Sequence, residues 1–524
     1  MIRQAAGYAK RLLGAVEQHG LAGGIRAYSH AYKGGSRDKI WRNWDPQPRS
    51  GDAAIGEDWD LMTSRVRDLF RNEPVTRNLR RAICKLVVGT GVNTFASVLE
   101  ENAEDYFDRF NFEADELFER WAETECDVER RLNWGSMQAL HMGEVTETGV
   151  SFMLRCVDPD PRRVVPLCYQ LLEADQLDTT LDRPAGDGVN KIVGGIEFGA
   201  FNRPAAYWFY DVHPHDALSG GYGKSTRIHA ERVIATYLPN RPSEHRGVTW
   251  FSANIQSAKD LDWYIGNELS AAALGAALCM VVKREHGAGT GLGFAGGPNS
   301  TPGDADDAGN PLVKLGRPFV ADIGINDEVS IAESNRPNRD AAPFIKLLLM
   351  LHGMASGLSH LRVTGDYSQS SYTSARGAHL DDDAYIKPLQ RWFGSSCIRP
   401  VREEFHRQAA ALGRFSSVTP RAFKRDEFSF QRMLVQPPGR EQLDPEMETD
   451  AAGKRIAIGL STHEIECGLR GHSYRRIVLQ QKRERRFALQ HLGREFELTN
   501  KAGAPKPETP SRDETDKAET QATE

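Results

Sequence analysis

The residues nearest to a chemical motif are Gly220-Gly221-Tyr222-Gly223-Lys224-Ser225-Thr226. A phosphate-binding loop ends in Gly-Lys-Ser/Thr because its amides and lysine converge on phosphate oxygens. It also needs a glycine five residues before Gly223, where this chain has Leu218. Such a loop runs from a strand into a helix N-terminus, yet Arg227 to Leu238 reads as strand. A hairpin or loop tip fits better. Gly287, Gly289, Gly291 and Gly293 imitate a dinucleotide loop, but they follow a helical pattern and precede none, so they read as a connector. His213 and His215 share one face of an extended segment, with Asp211 and Asp216 beside them. Pro214 and the lack of a further ligand disfavour a metal centre. Asp381, Asp382 and Asp383 fan around a helix and cannot converge on one cation; a solvated face or salt-bridge site is the better reading. There is no G-x-S-x-G and no H-E-x-x-H. Seven cysteines, an odd number with no C-x-x-C, argue against a disulfide framework or zinc cluster and for a reducing compartment.

The elements that would position these residues change along the chain. Residues 1–60 hold aromatics among Gly, Arg and Pro, with one short helix near Ala9–Gln18. Helical periodicity runs from Trp59 to Phe70, is interrupted at Pro74, and resumes from Val75 to Val88. Glu113 to Glu123 is amphipathic, with Leu117, Phe118 and Trp121 on one side. Between 150 and 240 the texture is β-rich: Val150–Val157, Lys191–Phe198, Ala206–Val212 and Arg232–Leu238. Residues 252–285 read as helix again. Its most apolar run, Leu269 to Val282, is 14 residues, too short for the roughly 20 of a membrane span. Residues 286–310 carry eight glycines in 25 positions and read as a loop. Short strands follow near Leu312–Leu315 and Glu328–Ala332, then a helix from Pro343 to Ser356 and a polar stretch from His360 to Tyr372. Ala375 to Leu412 is helical, with a kink at Pro388 and a break near Cys397–Pro400. Helices occupy roughly 441–458, 462–469 and 473–491. Residues 501–524 hold no Val, Ile, Leu, Met or aromatic and are expected to be disordered.

The chain has 524 residues, 40% hydrophobic and 26% charged, with net charge -6 from 66 Lys+Arg and 72 Asp+Glu. That is ordinary for a globular protein and excludes a histone-like polycation. Length alone suggests three or four domains. The first residues lack an apolar signal region, so no secretory leader is expected. No internal repeat is visible.

One segment carries more specific information. Asp366-Tyr-Ser-Gln-Ser-Ser-Tyr-Thr-Ser-Ala-Arg376, preceded by Gly357-Leu358-Ser359, resembles a stretch of the lambda-type bacteriophage portal proteins. Other segments agree in the same order. They are Arg65–Asn72 with Pro74, Val87-Val-Gly-Thr-Gly91, Arg241-Pro242 with Arg246-Gly-Val248, Arg399-Pro-Val401, and Gly459–Glu464 with Cys467 and Arg470-Gly471. The resemblance spans about residues 28–485. It implies a mainly helical α+β portal fold with wing, stem, clip and crown, assembled as a homo-oligomeric ring, usually a dodecamer. Such a ring sits at one vertex of the virion and passes double-stranded DNA during packaging and ejection. It docks the terminase large subunit and then the head–tail adaptor. The major capsid protein and a scaffold or maturation protease are further implied partners. Assembly is expected in the host cytoplasm, with no cofactor, metal, membrane or catalysis.

Laid on this sequence, the resemblance implies an arm at 1–58 and a wing at 59–250. A stem helix at 251–285 and a second at 339–358 flank a clip at 286–338. A tunnel loop at 359–373 leads to a kinked helix and return to the wing at 374–440. Crown helices occupy 441–495 and an acidic tail 496–524. The implied channel residues are Arg362, Asp366, Tyr367, Ser368, Gln369, Ser370, Ser371, Tyr372 and Arg376, with Lys259 and Lys346 on the stem. A ring that moves DNA must guide without gripping, since every phosphate contact releases counterions and adds affinity. Uncharged hydroxyls and amides in this loop suit that need, and one Arg362 per subunit would centre the duplex. Tyr367 and Tyr372 serve equally as packing between neighbouring loops, and Arg376 fits an intersubunit ion pair better than a DNA contact. The basic helix with Arg475, Arg476, Lys482, Arg483, Arg485 and Arg486 would touch packaged DNA or be a charged face. Two other readings remain: a nucleotide-binding enzyme using Gly220–Thr226, and a DNA-binding protein that forms no ring.

Overall fold

The computed structural model describes residues 46–56, 58–98, 104–216, 223–276, 280–283, 328–331, 341–368, 370–439 and 444–492. The clip loop around the four alternating glycines, the strand expected near Leu312–Leu315, the arm helix and the acidic tail lie outside them. The chain divides into two compact units, not three or four domains. In the small one, residues 46–54 join 241–244: the Gly51 N–H, at the start of α1 (Gly51–Gly56), donates to Ser243 Oγ at 2.8 Å. The large unit holds everything else.

It opens with α2 (Trp59–Asn72) and α3 (Pro74–Val87). Pro74 is not a kink inside one helix but the first residue of the second, where its missing N–H costs nothing. Glu73 caps that helix, accepting from the Val75 and Thr76 amides at 3.0 and 2.6 Å. Then follow β1 (Asn93–Ala96), α4 (Glu104–Thr124) and α5 (Trp134–Thr148). Periodicity does not reveal α5 because the face buried by Trp134, Met137, Met142 and Val145 also carries Gln138, His141 and Thr148, while Leu140 is exposed on the other side. Polar residues inside and an apolar one outside erase the amphipathic pattern. Asn133 caps its start and Gly149, at φ +91°, ends it.

The strand-rich block forms two antiparallel sheets. One orders β3 (Leu167–Leu172), β2 (Val150–Val157) and β8 (Val233–Tyr237); the other is β4 (Lys191–Val193), β5 (Ile196–Phe198), β6 (Pro204–Tyr210) and β7 (Ser225–His229). Lys191–Phe198 is thus a tight hairpin, turned at Gly194 and Gly195, which both take positive φ. Strand β3 was absent from the sequence reading, and the strand read from Arg227 to Leu238 is two, β7 and β8, separated by a short turn at Ala230–Arg232. The Arg246-Gly-Val motif has a steric origin. A Cβ on Gly247 would collide with the Gly149 carbonyl, and the Arg246 guanidinium lies 5.2 Å from the Trp59 ring centre.

Helix α6 (Ile255–Ala276) ends before the apolar run does. Met280–Lys283 is strand β9, paired with β10 (Glu328–Ile331), so a single helix to residue 285 is not what forms. Val281 and Val282 are β-branched and favour the sheet. Helices α7 (Ala341–Ser356), α8 (His360–Thr364) and α9 (Tyr372–Phe393) follow, the last with Pro388 inside. A π turn at Gly394–Ile398 links α9 to α10 (Arg399–Ala411). Next come α11 (Pro420–Arg425), α12 (Glu427–Phe430), β11 (Met433–Gln436), α13 (Pro445–Ala457), α14 (His463–Leu469) and α15 (Tyr474–Leu492). Among the described residues no helix is long and apolar enough to cross a membrane.

The main core packs α2–α5 against β2, β3, α9 and α10, around Trp121, Phe118, Phe393 and Phe405. A second core lies between the sheets, around Phe152, Tyr207 and Phe209. Inside the first sits a charge: Arg402 is 0% exposed, with its guanidinium 4.2 Å from the Phe118 ring centre and 2.5 Å from Asp115 Oδ1. Asp115 Oδ1 also accepts from the Ala96 amide at 2.8 Å. Burial and the adjacent guanidinium hold His406 well below its usual range, so its neutral Nε2 accepts from Arg402 Nε at 2.9 Å. Removing one partner of a buried pair strands the other in a medium that cannot solvate it. Arg402→Ala is expected to cost about 3–5 kcal/mol, measured as a shift in the urea midpoint at unchanged m-value. A cost below about 1 kcal/mol, the range of surface pairs, would contradict this role.

Candidate functional site

The segment from Gly357 to Arg376 is built in two parts. Gly357 takes φ +74° and packs under the Tyr385 ring. Behind it, α8 is pinned rather than loose: Leu361 and Val363 are buried, and Asn78 Nδ2 donates to the Val363 carbonyl at 3.2 Å. Asp382 is the anchor. It is 3% exposed and accepts from the Ser359 amide at 2.7 Å and the Ser359 hydroxyl at 2.9 Å, and Arg362 Nε approaches it at 3.3 Å. Of the three consecutive aspartates, this is the one that turns inward as a salt-bridge site.

The exposed loop therefore begins at Gly365 and ends at Ser371, shorter than the 359–373 span expected, because 360–364 are helix and Tyr372 already opens α9. Gly365, at φ +66°, lets its amide cap the Leu361 carbonyl at 2.9 Å. Asp366 folds back to accept from the Ser368 amide at 2.9 Å, and that bond, with the charge of Lys346, holds its carboxyl below the usual range. The Ser370 N–H and O–H both donate to the Tyr367 carbonyl. Ser371 caps α9 through the Ser374 amide at 3.2 Å. Tyr367 and Tyr372 are 43% and 51% exposed. Gln369 lies outside the described residues.

Arg362 is not on this loop. It sits on α8 with its side chain turned onto Asp382 and His379, the latter at 2.8 Å, which the sequence reading did not foresee. The loop thus presents hydroxyls and two phenols with a single carboxylate. Arg376 is exposed on α9, without an ion pair among the described residues.

The other candidates spread over the large unit. On α6, Lys259 pairs with Asp262 at 3.2 Å, and Trp263 and Leu269 are exposed. On α7, Lys346 is exposed, as are Phe344, Leu347, Leu351 and Met354. The two helices meet through Tyr264 and Phe344, ring centres 5.0 Å apart. On α15, Arg475, Lys482, Arg483, Arg485 and Arg486 are exposed. Arg476, also exposed, bonds Glu119 on α4 and lies over Phe95 on β1, a surface contact between the helix and those elements. The apolar Val478, Leu479, Phe487 and Leu489 on this helix are also exposed.

The decoys resolve physically. Ser225 donates to Asp178 at 2.6 Å and Thr226 to Asp211 at 3.1 Å, and both lie in β7, not at a helix N-terminus. His213 neighbours Glu173 and Asp175, not the ligand set of Asp211 and Asp216 weighed from sequence. Arg67 already sits on these carboxylates, 2.6 Å from Asp175 and 3.5 Å from Glu173.

Asp382→Asn keeps the shape but removes the charge that holds Ser359 and Arg362. Charge-assisted bonds of this kind contribute about 1.5–3 kcal/mol. Amide hydrogen exchange over residues 359–371 is expected to accelerate at least tenfold while α10 stays protected. Unchanged exchange would show that the anchor lies elsewhere.

The family model for phage portal proteins of the lambda family matches residues 37–390. The probable portal protein of Halomonas phage phiHAP-1 is 25% identical, with 81% of this chain and 80% of that protein covered. Portal protein B of Escherichia phage lambda is 23% identical over 88% and 90%. Among solved structures, a chain in the neck of an empty gene transfer agent particle aligns over 82% of this chain and 95% of its own, at TM-score 0.42 and 12% identity. On the family match, which covers more than half of its length, this chain belongs to the lambda family of phage portal proteins.

Proposed function

We propose that the chain assembles into a closed homo-oligomeric ring of twelve copies at the portal vertex of the virion. Double-stranded DNA is packaged and ejected through it, with residues 365–372 lining the narrowest part of the channel. The observation that carries this reading is the loop. It is an exposed surface rich in hydroxyls, with one carboxylate and no cation, mounted on a rigid anchor, in a member of the portal family. Net positive charge there would add affinity at each phosphate and slow passage. The single Asp366 per copy adds mild repulsion instead. Arg362 serves by positioning the loop through Asp382 rather than by touching DNA.

Ring closure needs two complementary faces on each copy. The exposed apolar residues of α6 and α7 supply them, with Asp260, Asp262 and Glu268 on one helix and Lys346 on the other. The β9–β10 segment would face the terminase large subunit and later the head–tail adaptor, and the outer wing the major capsid protein. The ring assembles in the host cytoplasm and acts as a conduit without catalysis of its own. The commitment of Ser225 and Thr226 to carboxylate partners in a strand supports that over an enzyme reading.

A photo-crosslinking residue at Ser368 is expected to attach to DNA in packaging particles, whereas the same group at the exposed Phe428 is not. Crosslinks at position 428 and none at 368 would overturn the channel assignment. For the crown, replacing Lys482, Arg483, Arg485 and Arg486 together by Gln is expected to lower packaged DNA severalfold. Unchanged packaging would reduce that cluster to a solvated face.

A further inference from the structure

Two thiols face each other across the central sheet. The register of β2 and β3 sets Cys156 directly opposite Cys168. In an antiparallel pair, hydrogen-bonded and non-hydrogen-bonded positions alternate. The Asp158 amide donates to the Pro166 carbonyl at 2.8 Å, two residues beyond this position. One residue from it, the Tyr169 amide and carbonyl turn away to Cys126 and Val128. Cys156 and Cys168 are therefore a hydrogen-bonded pair, with Cα atoms about 5.5 Å apart and side chains on one face. That separation lies at the common value for disulfides. Both thiols are free, Cys156 half-buried and Cys168 fully buried. The turn between the strands is braced: Arg130 and Arg163 bind Asp158 at 2.8 and 2.6 Å, and Arg162 binds Asp160 at 2.7 Å.

We propose that Cys156 and Cys168 form a redox-responsive pair, closing to an intramolecular disulfide when the chain meets a low-molecular-weight disulfide such as oxidised glutathione. The accessible Cys156, as thiolate, attacks one glutathione sulfur and releases one glutathione thiol. Cys168, as thiolate, then displaces the second. Two cysteine thiols are oxidised, one glutathione disulfide is reduced to two thiols, and the protons end on the leaving glutathiones. Opposite Cβ atoms at such a site stand about 5.5 Å apart, whereas a bridge draws them to about 3.8 Å. Closure therefore strains the sheet and leaves a bond that glutathione readily reduces. The pair stays open in a reducing cytoplasm and closes in an oxidising medium. That this happens after assembly rests on the proposed function; the thiol chemistry does not.

The test uses the full-length protein. It is equilibrated in reduced or oxidised glutathione buffers, blocked with N-ethylmaleimide, digested with trypsin without reduction and analysed by mass spectrometry. The expected result is a linked pair of peptides beginning at Cys156 and Val164, two hydrogens lighter than their sum, present in the oxidised buffer and lost in the reduced one. Cys156→Ser abolishes the link and leaves Cys168 as a free thiol. Maleimide on both cysteines throughout would overturn the proposal. So would glutathione retained on Cys156 beside an alkylated Cys168, or a link from either cysteine to a different one.

Discussion

The Arg402 guanidinium has no access to water, and a charge in that position must be met by a carboxylate. Asp115 meets it, and Asp115 is itself fixed by the Ala96 amide. One ion pair thereby sets α10, α4 and β1 in a single arrangement. Strand β1 pairs with β11, which leads to the last three helices. Arg476 returns from α15 to Phe95 on β1 and Glu119 on α4. The C-terminal helices are thus referenced to the same few residues as the main core. The Arg-Pro-Val signature at 399–401 stands just before Arg402 because the π turn and Pro400 aim this arginine inward.

The contrast lies in the long helices beyond this core. Trp263 is 70% exposed and Met354 77%, and Phe487 on α15 is 63%. The large unit thus has a self-sufficient centre and long helices that leave large apolar side chains exposed, and the proposed ring would cover them. The loop at 365–371 follows α8, which the buried Asp382 pins, and its own Asp366, Ser370 and Ser371 shape it from within.

Much of the helical framework was legible in the sequence because those helices have one wet face. The helices on either side of Pro74, the break before Pro400 and the three C-terminal helices fell within a few residues of their observed bounds, whereas α9 runs on through Pro388. Helix α5 was hidden because its buried face carries Gln138, His141 and Thr148 while Leu140 points to solvent. Strand β3 is short and carries the polar Gln170, β7 and β8 read as one strand from Arg227, and α6 yields to a strand where the chain turns β-branched. The site was legible only through its resemblance to a family, since serines and tyrosines in a loop specify no chemistry alone. The Arg362–Asp382 anchor and the facing cysteines join residues 20 and 12 positions apart. Only the packing of α8 on α9 and the register of β2 on β3 reveal them.

The proposed ring around a passage lined by residues 365–372 is open to direct view by single-particle electron microscopy of the purified full-length protein. A closed rotationally symmetric ring is expected. Its central hole would be wide enough for a duplex and bounded by this loop, with Trp263 and Met354 buried between copies. A closed ring whose narrowest point is formed by another segment, or an assembly with no passage at all, would contradict it.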